Sequence, residues 1–237
     1  MPNRALGLDL GQAQDHTALA LVEWTVRDDG LHVYHLRHLE RVPLGTGYPA
    51  IAKHAAKLMN TDELKDTCQL VADATGVGRP VVDLLKLENL RPHAVVVHGG
   101  ASATTDQDGY SRIPKRLLVN TAQVLLQDRR LRFPSPKVVP QVKVLEEELL
   151  KFEVKISESG SDTYGAWREG AHDDLVFALC LGCWWGEHMA AVNQWVTDHP
   201  TQPLDRGGRS PARASLIGKP TLVKNEDGSY RIERRAA

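Results

Sequence analysis

A nearly continuous apolar run, LVFALCLGCWWG at residues 175–186, limits what this chain can fold into. Its length and lack of charge are typical of a helix that is buried in a protein core. Two adjacent aspartates, Asp173 and Asp174, stand directly before it. Carboxylates at a helix N-terminus can cap the helix and oppose its dipole, or they can face a cation. The second interpretation requires further ligands elsewhere in the chain.

Length and composition restrict the class of protein to which the chain can belong. The 237 residues suit one sizeable domain with appendages, and 42% hydrophobic with 25% charged residues is typical of a globular chain. The formal net charge of -1 predicts neither a nucleic-acid nor a membrane partner. No stretch of about 18 consecutive apolar residues occurs, and the N-terminus lacks the layout of a signal peptide. We expect a cytoplasmic protein with no membrane partner, whose three cysteines are reduced.

Strand-like and helix-like segments follow one another in a mixed α/β order. RALGLDLG, HTALALVEWTV and LHVYHLRHLERV alternate as strands, and the RDDG turn predicts that they form an antiparallel meander. A helix, a strand ending in VAD, a second helix, the strand HAVVVH and further helices come next. This order predicts a mixed sheet flanked by helices.

Three segments have a less regular sequence pattern. Residues 98–114, rich in Gly, Ser and Thr, are predicted to form a flexible loop near the site. KFEVKIS and DTYGAWR could pair as a small hairpin. The domain is assigned to residues 1–197, and residues 198–237 are interpreted as a Pro/Gly/Arg-rich tail that could contain a short hairpin around Asp-Gly.

Acidic residues recur where the predicted strands end or helices begin. Asp9 closes the first strand, Asp73 closes the strand after the first helix, and Asp173 and Asp174 open the last long helix. Sites in open α/β sheets gather at strand ends. If the first and fourth strands are neighbours, Asp9 and Asp73 lie side by side, and a helix that begins beside them completes a carboxylate cluster.

Such a cluster requires positive charge, because neighbouring carboxylates repel one another. Oxygen ligands suit Mg²⁺ or Mn²⁺. Two such ions serve nucleases by activating a water and stabilising the leaving oxygen of a phosphodiester. The predicted cofactor is therefore a pair of Mg²⁺ or Mn²⁺ ions.

Four segments in a fixed order, GLDLGQAQDHTALALVE, LVADATGVGRPVVDLL, SRIPKRLLV and GAHDDLVFALCLG, resemble the nuclease domain of phage terminase large subunits. The resemblance spans about residues 5–185. It implies the ribonuclease H-like fold, in which an antiparallel three-strand meander is joined to parallel strands. It also implies that Asp9, Asp73 and one or both of Asp173 and Asp174 hold the catalytic metals. Lys115 would hold a phosphate or a water on the metal.

The resemblance implies a metal-dependent endonuclease that cuts double-stranded DNA with little sequence specificity, as in viral genome packaging. Its partners would be DNA and a packaging ATPase motor, a small terminase subunit or a portal, in the host cytoplasm if the chain is phage-encoded. The sequence contains no G-x-x-x-x-G-K-[ST] motif of such a motor. We therefore expect either an excised nuclease domain or a separate motor-free protein.

Two basic segments are candidates for holding DNA through phosphate contacts. They contain Arg112, Lys115 and Arg116 in GYSRIPKRLL, and Arg129 and Arg130 in QDRRLRF.

Three other functions stay open. A Holliday-junction-resolvase-like nuclease of the same fold would prefer branched DNA. The segment GLDLGQAQDHTALALV also resembles the phosphate-binding opening of an actin-like nucleotide-binding domain, but proteins of that class bind the nucleotide between two such domains. A non-enzymatic DNA-binding scaffold would be insensitive to EDTA.

Overall fold

The computed structural model describes residues 3–11, 15–76, 78–100, 102–106, 109–158, 173–198, 221–224 and 230–233. The strands are β1 (Arg4–Asp9), β2 (Ala18–Val26), β3 (His32–Arg41), β4 (Cys68–Asp73), β5 (His93–His98), β6 (Thr104–Thr105), β7 (Ser111–Pro114), β8 (Leu131–Arg132), β9 (Thr221–Lys224) and β10 (Tyr230–Glu233). The helices are α1 (Tyr48–Met59), α2 (Gly78–Leu87), α3 (Lys115–Gln127), α4 (Gln141–Glu158) and α5 (Asp174–Asp198).

Eight of these strands form one mixed sheet in the order β6-β7-β5-β4-β1-β2-β3-β8. The meander β1-β2-β3 is antiparallel, whereas β4 joins β1 in parallel and is followed outward by β5 and β7, also in parallel. The predicted architecture, an antiparallel three-strand meander joined to parallel strands in one mixed sheet flanked by helices, is confirmed.

The two faces of the sheet carry separate cores because side chains alternate along each strand. On β1, Ala5 belongs to the core formed with α3, α4 and α5, and this side is called the α5 face. Leu6 and Leu8 belong to the core formed with α1 and α2 on the opposite face.

Helix α5 crosses the α5 face at unusually short range. A Cβ added at Gly7 of β1 would overlap the backbone oxygen of Ala178 and lie 3.1 Å from the nitrogen of Gly182. One turn further along α5, a Cβ at Gly182 would lie 2.9 Å from Val22. Small residues at a helix spacing of four let the backbones of helix and sheet approach closely. This contact fixes where α5 begins relative to the end of β1.

Among the residues that the structure describes, helix α5 is long and apolar enough, by length and composition, to cross a membrane. By itself this is weak evidence, because a buried core helix has the same properties, and 61% of the most apolar window of α5 is buried within the fold. The prediction of a core helix from residues 175–186 agrees with their packing, since Leu175, Ala178, Leu179 and Leu181 are fully buried.

Two of the local predictions are wrong. The segment predicted as a loop contains β6 and β7, and β7 pairs in parallel with β5. The segment KFEVKIS lies in α4, not in a strand. Its local alternation is overridden by the strong helix formers before it, since VLEEELLK favours continuation of the helix. DTYGAWR lies outside the described residues.

The C-terminal segment contributes two described strands. β9 and β10 pair antiparallel, with Lys224 opposite Tyr230. The domain boundary at residue 197 stays a prediction.

Candidate active site

Asp9 and Asp73 end two neighbouring parallel strands. The register of β1 with β4 runs from Arg4 beside Cys68 to Leu8 beside Ala72, so the next step along both strands brings Asp9 beside Asp73. The expected neighbourhood of the first and fourth strands is therefore confirmed.

Strand alternation directs both aspartates toward the α5 face. Asp73 is two residues beyond Val71, which belongs to the core on that face. Asp9 is two residues beyond Gly7, which lies against the backbone of α5. The two carboxylates therefore stand on the side of the sheet where α5 begins.

The Asp73 carboxylate is held by the turn that follows it. The backbone nitrogen of Thr75 donates to Asp73 Oδ1 at 2.7 Å. The hydroxyl oxygen of Thr75 accepts from the backbone nitrogen of Val97 at 2.7 Å, so the turn is tied to β5. Asp73 is only 6% exposed. Its orientation is consequently set by the sheet.

The start of α5 supplies the third acidic position at this edge. The carbonyl oxygen of Asp173 accepts from the backbone nitrogen of Phe177 at 2.9 Å, so Asp173 precedes the first turn of the helix. Asp173 is partly exposed, whereas Asp174 is buried. The two adjacent aspartates therefore stand in different surroundings.

Lys115 reaches the same edge from α3. It begins that helix directly after β7 ends, and its Nζ lies 4.6 Å from the centre of the Phe177 ring. Burial raises the pKa of the Cys180 thiol to about 12, and the charges of Asp173, Lys115 and Asp9 act on the same thiol. Lys115 therefore lies beside the first turn of α5.

Arg41 and Glu148 belong to this edge as well, and sequence reasoning missed both. Ala18 of β2 has Arg41, the last residue of β3, as its neighbour on one side and Asp9 of β1 as its neighbour on the other. Arg41 forms ion pairs with Glu148 of α4 and with Asp174, the latter at 3.3 Å. Burial raises the pKa of Glu148 to about 7, while the charge of Arg41 and a hydrogen bond from Val176 oppose that rise.

A signal for Arg41 was available in the sequence, because it ends a predicted strand at the same edge as Asp9. No comparable signal existed for Glu148. It is one of three consecutive glutamates, and only helix packing shows that it is the buried one.

The predicted DNA-contacting residues do not all lie together. Arg112, Arg116 and Arg129 are exposed, and Lys115 is partly exposed. Arg129 follows the far end of α3, whose 13 residues extend about 20 Å away from Lys115. The strand after it, β8, pairs with the beginning of β3. Arg129 therefore lies toward the opposite edge of the sheet from Asp9.

The expectation that Arg130 contacts DNA is not supported by its position. Arg130 is 5% exposed. Its guanidinium donates to Glu187 Oε1 at 2.9 Å and to the carbonyl oxygen of His32 at 3.1 Å. Three arginines within four residues suggest a basic surface, but folding turns this side chain into an internal ion pair.

The edge of the sheet where β1 and β4 end and α5 begins is called the carboxyl edge. Its residue chemistry fits a hard divalent cation, since Asp9, Asp73, Asp173 and Asp174 offer carboxylate oxygens. Within the part of the chain that the structure describes, no three His, Cys, Asp or Glu side chains are grouped closely enough to hold a metal ion as they stand. The fold thus brings the acidic residues to one edge without converging them into a finished set of ligands.

Solved structures similar to this chain include terminase nuclease domains. The human cytomegalovirus terminase nuclease domain, Mn soaked, is 17% identical over 79% of this chain and 85% of that chain, with a TM-score of 0.47. The same domain with inhibitor bound is 15% identical over 83% and 84%, with a TM-score of 0.40. The large terminase of a thermophilic bacteriophage is 9% identical over 57% of this chain and 31% of that chain, with a TM-score of 0.38.

No family model matches this sequence. No curated protein matches it either.

Proposed function

We propose that this chain is a metal-dependent nuclease that hydrolyses phosphodiester bonds in double-stranded DNA with little sequence specificity. The observation that carries the proposal is the register of β1 with β4, which sets Asp9 beside Asp73 at the edge where α5 begins. Acidic residues from separate elements come to that edge, and Lys115, whose ammonium group is suited to a phosphate, begins α3 there.

The residues that would hold the cations are Asp9, Asp73 and the Asp173–Asp174 pair. Two Mg²⁺ or Mn²⁺ ions, when bound, would supply water activation and charge stabilisation at the departing 3′ oxygen. The Thr75 hydrogen bond keeps Asp73 oriented toward the site. Lys115 would bind a phosphate oxygen, and the exposed Arg112 and Arg116 would add phosphate contacts that carry no sequence information.

A packaging role belongs to the same proposal. The chain would act on concatemeric viral DNA with an ATPase motor, a small terminase subunit or a portal. Its cytoplasmic location stays a prediction.

Nicking of supercoiled plasmid by the full chain tests the proposed activity. With Mn²⁺ or Mg²⁺ present, we expect nicking that EDTA abolishes. Asp9→Asn and Asp73→Asn should each lower the rate by about 100-fold or more. The asparagine at position 73 keeps an oxygen that can accept from Thr75, so the fold is preserved. Asp83→Asn, an exposed aspartate of α2, is the matched control and should nick like wild type.

The proposal fails if both site variants nick as fast as the Asp83 control. A strong preference for four-way junctions over linear duplex would favour the resolvase-like alternative. Saturable binding of ATP–Mg²⁺ without nicking would favour the actin-like alternative, and DNA binding that EDTA leaves unchanged, again without nicking, would favour the scaffold.

A further inference from the structure

Helix α5 meets β1 along a row of residues spaced by four, and Asp174 is the first member of that row. A Cβ added at Gly182 would lie 3.6 Å from the backbone oxygen of Ala5, and Ala178 lies against Gly7. Asp174 precedes Ala178 by four residues, as Ala178 precedes Gly182. Four residues of a helix advance about 6 Å, and two residues of a strand advance about 6–7 Å. The next step along both elements therefore brings Asp174 to the last residue of β1.

Arg41 reaches the start of α5 from two strands away. Asp9, Ala18 and Arg41 are neighbours across β1, β2 and β3, so their side chains project from the same face of the sheet. Ala18 belongs to the core on the α5 face. From that face, Arg41 Nη2 comes within 3.3 Å of Asp174 Oδ2. Arg41 and Asp9 therefore stand on the side of the sheet where α5 begins.

The contact between Arg41 and Asp174 is a buried ion pair that a second carboxylate supports. Asp174 is 5% exposed and Glu148 is 6% exposed. Glu148 of α4 forms an ion pair with the same Nη2 of Arg41. Its other carboxylate oxygen accepts from the backbone nitrogen of Val176 at 3.3 Å. Glu148 is therefore bound both to the guanidinium and to the first turn of the helix that carries Asp174.

The charge of Arg41 compensates an unfavourable arrangement at the carboxyl edge. Burial of a carboxylate is costly unless an opposite charge lies beside it. Asp174 is brought to the end of β1, where the like charge of Asp9 repels it. Arg41 supplies the opposite charge, because a guanidinium stays protonated in proteins. The ion pair can therefore keep Asp174 at the end of β1 when no metal is bound.

We propose that Arg41 is a positioning residue of the metal site: it holds the Asp174 carboxylate beside Asp9, so that both can bind one Mg²⁺ or Mn²⁺ ion, and Glu148 holds Arg41 in turn. This role rests on the proposed nuclease function. In it, Arg41 contacts neither the metal nor the substrate and acts through Asp174. Loss of Arg41 should therefore weaken metal binding only while the aspartate at position 174 is present.

A double-mutant cycle on the full chain tests this dependence, with Mn²⁺ affinity measured from the electron paramagnetic resonance signal of the free ion. Arg41→Gln and Asp174→Asn should each weaken Mn²⁺ binding by about tenfold or more. Adding Arg41→Gln to Asp174→Asn should weaken it by less than about twofold further, because the group through which Arg41 acts is already changed. Arg41→Lys keeps the positive charge and should bind Mn²⁺ at least about threefold more tightly than Arg41→Gln.

Arg37→Gln is the matched control, since Arg37 lies on the same strand and its side chain is 53% exposed in an ion pair with Glu23. It should leave Mn²⁺ affinity within about twofold of wild type. Arg41→Gln removes the cation from two buried carboxylates and should lower the metal-free melting temperature by about 5 °C or more. If that variant does not fold, the cycle is repeated with Glu148→Gln in all four proteins, which removes one of the two charges.

The outcomes separate the role of Arg41 from the nuclease function. Equal weakening of Mn²⁺ binding by Arg41→Gln in both backgrounds overturns the positioning role, as does wild-type affinity in Arg41→Gln or in Asp174→Asn. An Arg41→Lys variant that binds no better than Arg41→Gln overturns it too. In these cases the nuclease proposal stands if wild type nicks plasmid. Wild type that binds Mn²⁺ without nicking overturns the nuclease function while the cycle still decides the role of Arg41, and wild type that binds no Mn²⁺ overturns both.

Discussion

Replacing Gly7 with alanine adds one methyl group where β1 meets α5. The new Cβ would overlap the backbone oxygen of Ala178 and lie 3.0 Å from its carbonyl carbon, whereas carbon atoms in good contact are about 3.5–4.0 Å apart. The obstructing atoms belong to a helix backbone and cannot rotate away. Helix α5 would therefore have to move outward by about 1 Å to relieve the overlap.

The expected loss in the free energy of unfolding is the balance of two opposing effects. Overpacking of this kind destabilises a protein by about 1–3 kcal/mol, and the upper end applies because the clash is with backbone. Alanine also reduces the entropy of the unfolded chain, which offsets about 0.4–1 kcal/mol. A net loss of about 2 kcal/mol corresponds to a fall in melting temperature of about 4–8 °C.

The same movement should impair the proposed activity more than the stability. An outward shift of α5 carries Asp173 and Asp174 away from Asp9, and a misplacement of about 1 Å can lower a rate by about 100-fold. Urea unfolding and plasmid nicking, both at a temperature where the variant is folded, separate the two effects. Gly47→Ala is the control, since its Cβ would meet only Pro49, at 3.8 Å; its N-cap position limits the cost to about 1 kcal/mol.

A Gly7→Ala variant with the urea midpoint and slope of wild type would show that α5 is not packed against β1 at this short distance. If the variant loses stability yet nicks at the wild-type rate, the close contact is real but does not set the position of the site.

Further predictions concern charged groups other than the candidate metal ligands. Arg130→Met should destabilise the protein by about 3–5 kcal/mol, because Glu187 keeps its charge without its main partner; adding Glu187→Gln should recover part of the loss in urea unfolding. Arg130→Met should also leave the salt dependence of DNA binding unchanged, and a slope reduced by about one ion would show that Arg130 does contact phosphate. Burial raises the pKa of Glu40, but hydrogen bonds from His38 and His54 outweigh it and hold the pKa below its ordinary value. A carboxylate whose pKa is lower in the folded state stabilises the fold at pH values above its unfolded pKa, and this contribution is lost as the pH falls through the folded pKa. The difference in unfolding free energy between wild type and Glu40→Gln should therefore shrink below about pH 4.5. A difference in urea midpoint that stays constant from about pH 7 to about pH 3.5 would contradict this.

The course of the chain could be predicted largely from local patterns. Alternation in the first three strands and the turn at Asp28–Gly30 indicated the meander, and the helical spacing after Pro49 indicated α1. The predictions failed where local pattern and context disagreed. β7 is four residues long and contains Pro114, so it has little strand signal of its own, and pairing with β5 is what makes it a strand. That pairing also places Lys115 at the carboxyl edge.

By itself, the sequence determined which residues could form a site. Strand-ending Asp9 and Asp73 and the doubled aspartate before an apolar helix are local facts, because strand ends and helix starts follow from the pattern of nearby residues. Only the tertiary structure decided how these residues are used. It paired β1 with β4, seated α5 on Gly7, buried Arg130 against Glu187, and surrounded Asp174 with Arg41 and Glu148. The reason is physical: the environment of a charge depends on which distant elements exclude water from it and which opposite charges they bring, and neither is encoded within a few residues of that charge.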